Sequence, residues 1–557
     1  MASASSLLLD EYYEAGDDRF LGEVLASTAG KKLKTLADRW YGDGRPFARR
    51  ALLRYVDDGC DRPHHRPLVK ALFKLAEMAG DDEAMGHFMA AFDRLVQRRL
   101  KPRRRWDPTD QILKDDPSVP KALGNRESRA PRFSRRTRMY LVRRAFRYFR
   151  VLARHDVPRY GKAIRAALVL YEDQHLERTE QLLDAWSLVH ALFWGSKVLH
   201  RDPHGIVVAE GRALAELTPA PFAPEAWQGA LHGLLDLVVN ARSRPVRTFA
   251  IGLLERDYAD ALRGMPLARV RGLLRSPHDE VQTFAAKVLR TTRGASSLTV
   301  DEWLELLRID NQEALPILCE MVQKVVSPDR LSLAQCVQLA CAKAGPVADL
   351  GLGWARKKPV NDADALTAVL GLSRAGVAHV REAGSAWVAE ILGQAAFATA
   401  EHARELLDAR YPEPRAAAFA LIEKDARYRE SMVLWGALSE SPYDDARALL
   451  VRHLRERAKS FGAETLRQVW ATTLLAVHRG GRAKRGALNQ IADRIARTPA
   501  EAESLLPLLA IALRSVRAPE RRVAIAAVAR AALREPELRA AIARALPELK
   551  LSAEVAA

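Results

Sequence analysis

From Val246 onward the sequence repeats itself every 32 to 38 residues, and this limits the possible folds more than any other feature. With Val246 as the first anchor, comparable positions follow at Val281, Ala314, Val347, Val380, Pro414, Ala446, Lys484 and Glu520. Four residues past each anchor stand Ala250, Ala285, Leu318, Gly351, Gly384, Ala418, Leu450, Leu488 and Ala524, all small or leucine. Seven past each stand Leu253, Val288, Met321, Trp354, Trp387, Leu421, His453, Ile491 and Ala527, all apolar except His453. Spacings of four and seven put these side chains on one face of a helix. The stretches between anchors are themselves apolar and periodic, as in Leu267 to Leu274, so each unit needs two helices. A lone helix pair cannot bury its apolar face, whereas stacked pairs share a continuous core. The small residue at the fourth position lets adjacent helices approach closely.

The run Ser276-Pro277-His278-Asp279-Glu280-Val281-Gln282-Thr283-Phe284-Ala285-Ala286-Lys287-Val288-Leu289 resembles the turn and second helix of a HEAT repeat. Pro245-Val246-Arg247 and Pro519-Glu520-Arg521-Arg522-Val523 are similar. The resemblance covers residues 225 to 550. It implies an all-α chain, a right-handed α-solenoid of stacked antiparallel helix pairs, and says almost nothing about activity. HEAT-like solenoids serve as scaffolds, receptors and nucleic-acid binders. The units lack the Trp, Gly and Tyr pattern of tetratricopeptide repeats and the Thr-Pro-Leu-His of ankyrins. Abundant Ala, Leu and Arg, all good helix formers, agree with this reading.

Ahead of the repeats, residues 1–100 read as an N-terminal helical region, broken at Asp43-Gly44-Arg45-Pro46 and at Pro63-His64-His65-Arg66-Pro67. Residues 101–136 carry Pro102, Pro108, Pro117, Pro120 and Pro131, too many for a long helix, and read as a basic arm or loop with a short helix near Thr109 to Lys114. Residues 137–240 return to helix, with spans predicted at Tyr160 to Gln174, Leu176 to Trp194 and Glu225 to Asn240. Gly205 to Gly211 is the one strand-like piece and is too isolated to imply a sheet. Residues 241–557 form the repeats.

Charge is concentrated in one place. Arg98 to Arg150 holds 18 Lys or Arg against five acids, a net +13 of the chain's +18. A GC-rich genome would favour Arg over Lys but would not gather the charge. The stretch includes Arg103-Arg104-Arg105-Trp106 and ends in a predicted helix where Arg136, Arg143, Arg147, Arg150 and Arg154 fall in a narrow arc. Leu141, Val142, Ala145, Phe146, Phe149 and Leu152 take the opposite side. Guanidinium forks suit phosphate oxygens, and an aromatic beside cations can stack on a base. The same stripe would also arise as a solvated face paired with a neighbour's acids, and Trp106 could equally pin the arm to the solenoid. A second basic spot, Arg479-Gly480-Gly481-Arg482-Ala483-Lys484-Arg485, is expected in an inter-helix turn.

Several chemistries find no support. Ala29-Gly30-Lys31-Lys32 lacks the earlier glycine and the following Ser or Thr of a phosphate loop, and there is no Gly-x-Ser-x-Gly elbow. His64-His65 and the pair His200 and His204 come without partners at metal spacing. Neither a catalytic motif nor a cofactor site is recognisable, so a non-enzymatic protein is expected. The start lacks a basic signal-peptide region and no apolar run is long enough to span a membrane. Cys60, Cys319, Cys336 and Cys341 suit free thiols in a reducing cytoplasm. Trp354 and Trp387, at equivalent repeat positions, read as core filling.

The leading expectation is a scaffold that grips nucleic-acid backbone, DNA or RNA, through Arg103, Arg104, Arg105, Trp106, Arg136, Arg143, Arg147, Arg150, Arg154, Arg482, Lys484 and Arg485. An acidic protein partner docking on the same charge is the alternative. Some HEAT-like proteins resemble DNA glycosylases acting through Trp and Asp on a basic face, which Trp186 near Asp184 or Trp303 near Asp301 would imitate. Membrane-surface binding by the arginine-striped helix is the remaining reading.

Overall fold

The computed structural model describes residues 4–60, 62, 64–95, 104–115, 135–202, 205–292, 294–457, 463–475 and 481–549. The chain is all-α apart from two short hairpins among these residues. By internal contacts it divides into two units, Met1–Leu298 and Thr299–Ala557.

All nine anchored segments are helices: Arg244–Asp257, Asp279–Thr291, Ala314–Val325, Gly345–Ala355, Ala378–Gln394, Pro412–Lys424, Asp444–Arg457, Gly481–Arg497 and Ala518–Arg534. Each follows a partner helix, from Leu231–Asn240 through Ala502–Leu513. Within the second unit, from Leu333–Ala340 onward, the paired helices pack on their own partners and on the equivalent helices of the adjacent pairs, which gives two parallel rows of helices. The positions four past the anchors are all buried. Gly351 shows why they must be small: a Cβ there would lie 2.1 Å from the Ala340 backbone nitrogen of the partner helix. Seven past the anchors, Trp354 is buried and Trp387 is only partly so. His453 is buried against Trp435, so this position too belongs to the core.

A ladder of side chains one residue past the anchors ties these pairs together. Arg247, Arg381 and Arg415 are each almost fully buried. Each sends Nη1 to the carbonyl six residues earlier: Ala241 at 2.9 Å, Ala375 at 2.8 Å and Ala409 at 2.8 Å. Those carbonyls lie in the turns after the partner helices, where backbone acceptors lack helical donors. Each guanidinium then pairs with an acid one residue before the next anchored helix's own anchor: Glu280 at 2.6 Å, Glu413 at 2.7 Å and Asp445 at 2.8 Å. Arg381 and Arg415 also lie over Tyr411 and Tyr443, 3.7 and 3.9 Å from the ring centroids. Arg447 repeats the carbonyl bond to Ser441, and Gln282 does so to Ser276 with a neutral amide.

The first unit's helices include Asp82–Arg94, Arg135–His155 and Val157–Val169, which pack on one another. Two hairpins depart from the sequence reading. β1 (Arg104–Asp107) pairs with β2 (Ile112–Asp115) where a loop with a short helix was expected. β3 (Leu199–Asp202) pairs with β4 (Gly205–Val208), so the isolated strand-like piece has a partner. The predicted helix Leu176 to Trp194 is instead two, Thr179–Asp184 and Trp186–Leu192. Buried Asp93 explains the break. Its carboxylate accepts the backbone N–H groups of Ser187 at 3.1 Å and Leu188 at 2.9 Å, which starts a new helix there, and it also accepts the Tyr171 hydroxyl at 2.7 Å. Burial pushes this carboxyl up to about 6 despite the three donors.

Candidate anion-binding surface

The Arg135–His155 helix buries Leu141, Val142, Ala145, Phe146, Phe149 and Leu152 and turns the arginine stripe the other way. Arg136, Arg143, Arg147 and Arg154 are exposed, and Arg150 is half-buried. Arg144, off the stripe, does the structural pairing. It bonds Glu77 from Nε at 2.9 Å and lies over Phe73, which ties the helix to the Arg66–Ala79 helix. Arg147 reaches the same Glu77 only at 3.7 Å. Arg136, Arg143, Arg150 and Arg154 make no ion pair with any described residue.

Two of these arginines meet a feature that the stripe alone does not reveal. Trp186 and His190 stand one turn apart on the Trp186–Leu192 helix and Trp194 follows just past its end, with Trp186 and His190 centroids 4.2 Å apart and His190 and Trp194 5.5 Å apart. Phe146 of the striped helix packs on this row, 5.7 Å from His190. The Arg143 guanidinium lies 5.0 Å from the Trp186 centroid and that of Arg150 lies 5.5 Å from Trp194. Exposed Arg201 of β3 spans the two, 5.6 Å from Trp186 and 4.9 Å from Trp194. Ring faces hold cations in place without neutralising them.

The charge is felt by its neighbours. His190 is pushed down to about 4, first by burial and then by Arg201, Arg150 and Arg143. It is therefore neutral at pH 7. Its Nδ1 faces the Trp186 carbonyl at 2.6 Å, so Nδ1 carries the proton and donates it there. Arg201 is itself lowered, first by burial and then by Arg150 and Arg143. The Nε of Arg150 is buried without a hydrogen-bond partner among the described residues.

The remaining expected residues belong to other elements of the chain. Trp106 lies on β1 opposite Leu113 and is 57% exposed, so it packs into no core. Arg104 and Arg105 belong to the β1 backbone, with side chains outside the described residues. Arg103 and residues 116–134 of the arm also lie outside them. The second basic spot opens the Gly481–Arg497 helix rather than a turn, as far as it is described. Lys484 occupies the buried anchor position of its repeat, 8% exposed, so it does not face solvent as expected. Arg485 is exposed, and the Arg482 side chain is outside the described residues. Of the glycosylase-like pairs, Trp303 is fully buried while Asp301 is exposed, so these two share no surface. Among the described residues no group of His, Cys, Asp or Glu side chains converges as metal ligands, and no helix is long and apolar enough to cross a membrane.

The convergence of Trp186, Trp194 and Arg201 on the stripe was the part missed from sequence. The available signal was the four-residue spacing of Trp186 and His190, which faces one way on a helix, whereas Trp194 joins them from the turn after that helix.

No protein-family model matches this sequence, and no curated protein sequence matches it. Among solved structures, the karyopherin Kap121p bound to the SUMO protease Ulp1p aligns at 12% identity with a TM-score of 0.21, over 98% of this chain and 64% of that one. A chain of the SYS-1/POP-1 complex aligns at 11% identity with a TM-score of 0.18, over 95% of this chain and 98% of that one. The chain thus spans 64% of the karyopherin's length. With likenesses this weak, the assignment of stacked helix pairs rests on the pairs themselves.

Proposed function

We propose that this chain is a non-enzymatic helical-repeat scaffold that binds a polyanion, nucleic-acid backbone above all, through the arginine stripe of its first unit. The observation that carries the reading is the separation of roles along the Arg135–His155 helix. Arg144 takes the acid that the fold supplies, while Arg136, Arg143, Arg150 and Arg154 have none among the described residues. Cations held open along one helix face neutralise phosphates with little sequence preference. Exposed Trp106 on β1 and the basic arm extend the same chemistry.

The test is binding of the full chain to labelled duplex and single-stranded DNA and RNA across a salt series. If the five stripe arginines each neutralise one phosphate, log K against log salt falls with a slope of about −4.5 on duplex DNA. Absence of binding at low salt would reject the reading.

Docking of an acidic protein has one observation of its own. A 730 Å³ groove in the first unit is lined by apolar Phe73, Leu75, Met78 and Leu141 and by Lys34, Lys70, Lys74 and Arg144 against the single acid Asp38. Co-purification of a stoichiometric acidic protein without nucleic acid would favour that alternative.

A further inference from the structure

We propose that Arg143, Arg150 and Arg201, held on the Trp186–His190–Trp194 row, form a discrete seat for a phosphate monoester, the terminal phosphate of a nucleic-acid strand or of a nucleotide. The inference rests on the polyanion reading for its biological setting but not for its geometry.

Three guanidinium groups reach one aromatic row from two elements: Arg143 and Arg150 from the striped helix, Arg201 from β3. None of them makes an ion pair with a described residue, although like charges brought together repel. A guanidinium stacked on a ring keeps its in-plane N–H fork free for an oxyanion. The indole faces are already engaged, Trp186 by His190 and two arginines, so the row positions cations and does not stack a base. Three positive charges match a dianion better than they match the single charge of an internal phosphodiester. His190, packed between the two indoles, is lowered first by burial and then by all three of these arginines. Behind the row, the Asp93 carboxylate fixes the start of the Trp186–Leu192 helix, so the rings stand in place before any anion arrives.

The experiment compares two oligonucleotides of one sequence, one with a 5′-phosphate and one with a 5′-hydroxyl, together with inorganic phosphate alone, all against the full chain. The 5′-phosphate strand should bind about tenfold more tightly, as expected for one added set of charge-assisted hydrogen bonds. Arg201→Gln and Arg143→Gln should each remove that preference. Both positions are exposed, and circular dichroism checks that the variants fold. Inorganic phosphate should raise the melting temperature of the wild type and not of Arg201→Gln. Equal binding of both strands, with no effect of inorganic phosphate, overturns the seat and leaves the polyanion reading standing. Stabilisation by inorganic phosphate without binding of either strand supports the seat and removes the polyanion reading.

Discussion

Replacing Arg381 with Met tests whether the buried ladder holds the repeats together. Met keeps length and apolar volume over Tyr411 but removes every donor. Four hydrogen bonds are lost, Nη2 and Nε to Glu413 at 2.7 and 3.0 Å and Nη1 to the Ala375 and Gly376 carbonyls at 2.8 and 3.4 Å, together with the cation's contact with the Tyr411 ring. Breaking a fully buried ion pair by removing one partner costs about 3–5 kcal/mol. The Glu413 side chain is 24% exposed and regains some water, so we expect about 2–4 kcal/mol here. Because stacked repeats are held by nearest-neighbour contacts, the loss should be local. Hydrogen exchange should speed up in the Ala363–Leu370, Ala400–Leu407 and Pro412–Lys424 helices before the rest. Adding Glu413→Gln should recover part of the loss, since no unpaired carboxylate then remains. The pH dependence follows from Glu413, whose carboxyl the Arg381 hydrogen bond holds below the usual range. An acid depressed in the folded state stabilises above its unfolded pKa, and that contribution fades as pH falls below about 4.5 through the folded value. Arg381→Met should flatten this acid limb. An unchanged urea midpoint and unchanged local exchange would refute the ladder as the joint between pairs.

Other consequences are more direct. Asp93→Ala leaves the Ser187 and Leu188 N–H groups and the Tyr171 hydroxyl without their buried acceptor, so urea denaturation should show a loss of about 2–4 kcal/mol and near-ultraviolet circular dichroism a loosened Trp signal. His190, faced by Arg201, Arg150 and Arg143 and packed among Trp186, Trp194 and Phe146, should titrate near pH 4 by NMR. A base depressed in the folded state stabilises above pH 6.5, and that contribution is lost as pH falls through 4. Saturating phosphate should move its pKa upward, though not to 6.5, because burial is the larger cause. Lys484→Met should leave nucleic-acid binding unchanged in a filter assay, since the ammonium sits in a buried anchor position.

The repeat array was readable because its signal is local and periodic. Small residues such as Gly351 and apolar ones such as Leu253 recur at spacings that only a helix face explains. The stripe was readable for the same reason, and its outward direction followed from the apolar residues on the opposite face. Features that depend on distant partners were not. The ladder arginines look like surface charge until the Ala375 carbonyl and Glu413 are seen around Arg381. The break before Trp186 needs Asp93, and Arg201 joins Arg143 and Arg150 only through the β3–β4 hairpin. β1 lacks clear alternation in sequence, so its pairing with β2 left little trace.

Salt-dependent binding of DNA by the wild type and by a chain with Arg143, Arg150 and Arg201 all changed to Gln tests the central claim most directly. If these unneutralised cations carry the function, the variant should bind more weakly at every salt concentration and its log–log slope should shrink by about 2–3, near one phosphate contact for each arginine removed. A variant that folds and retains the wild-type affinity and slope would contradict it.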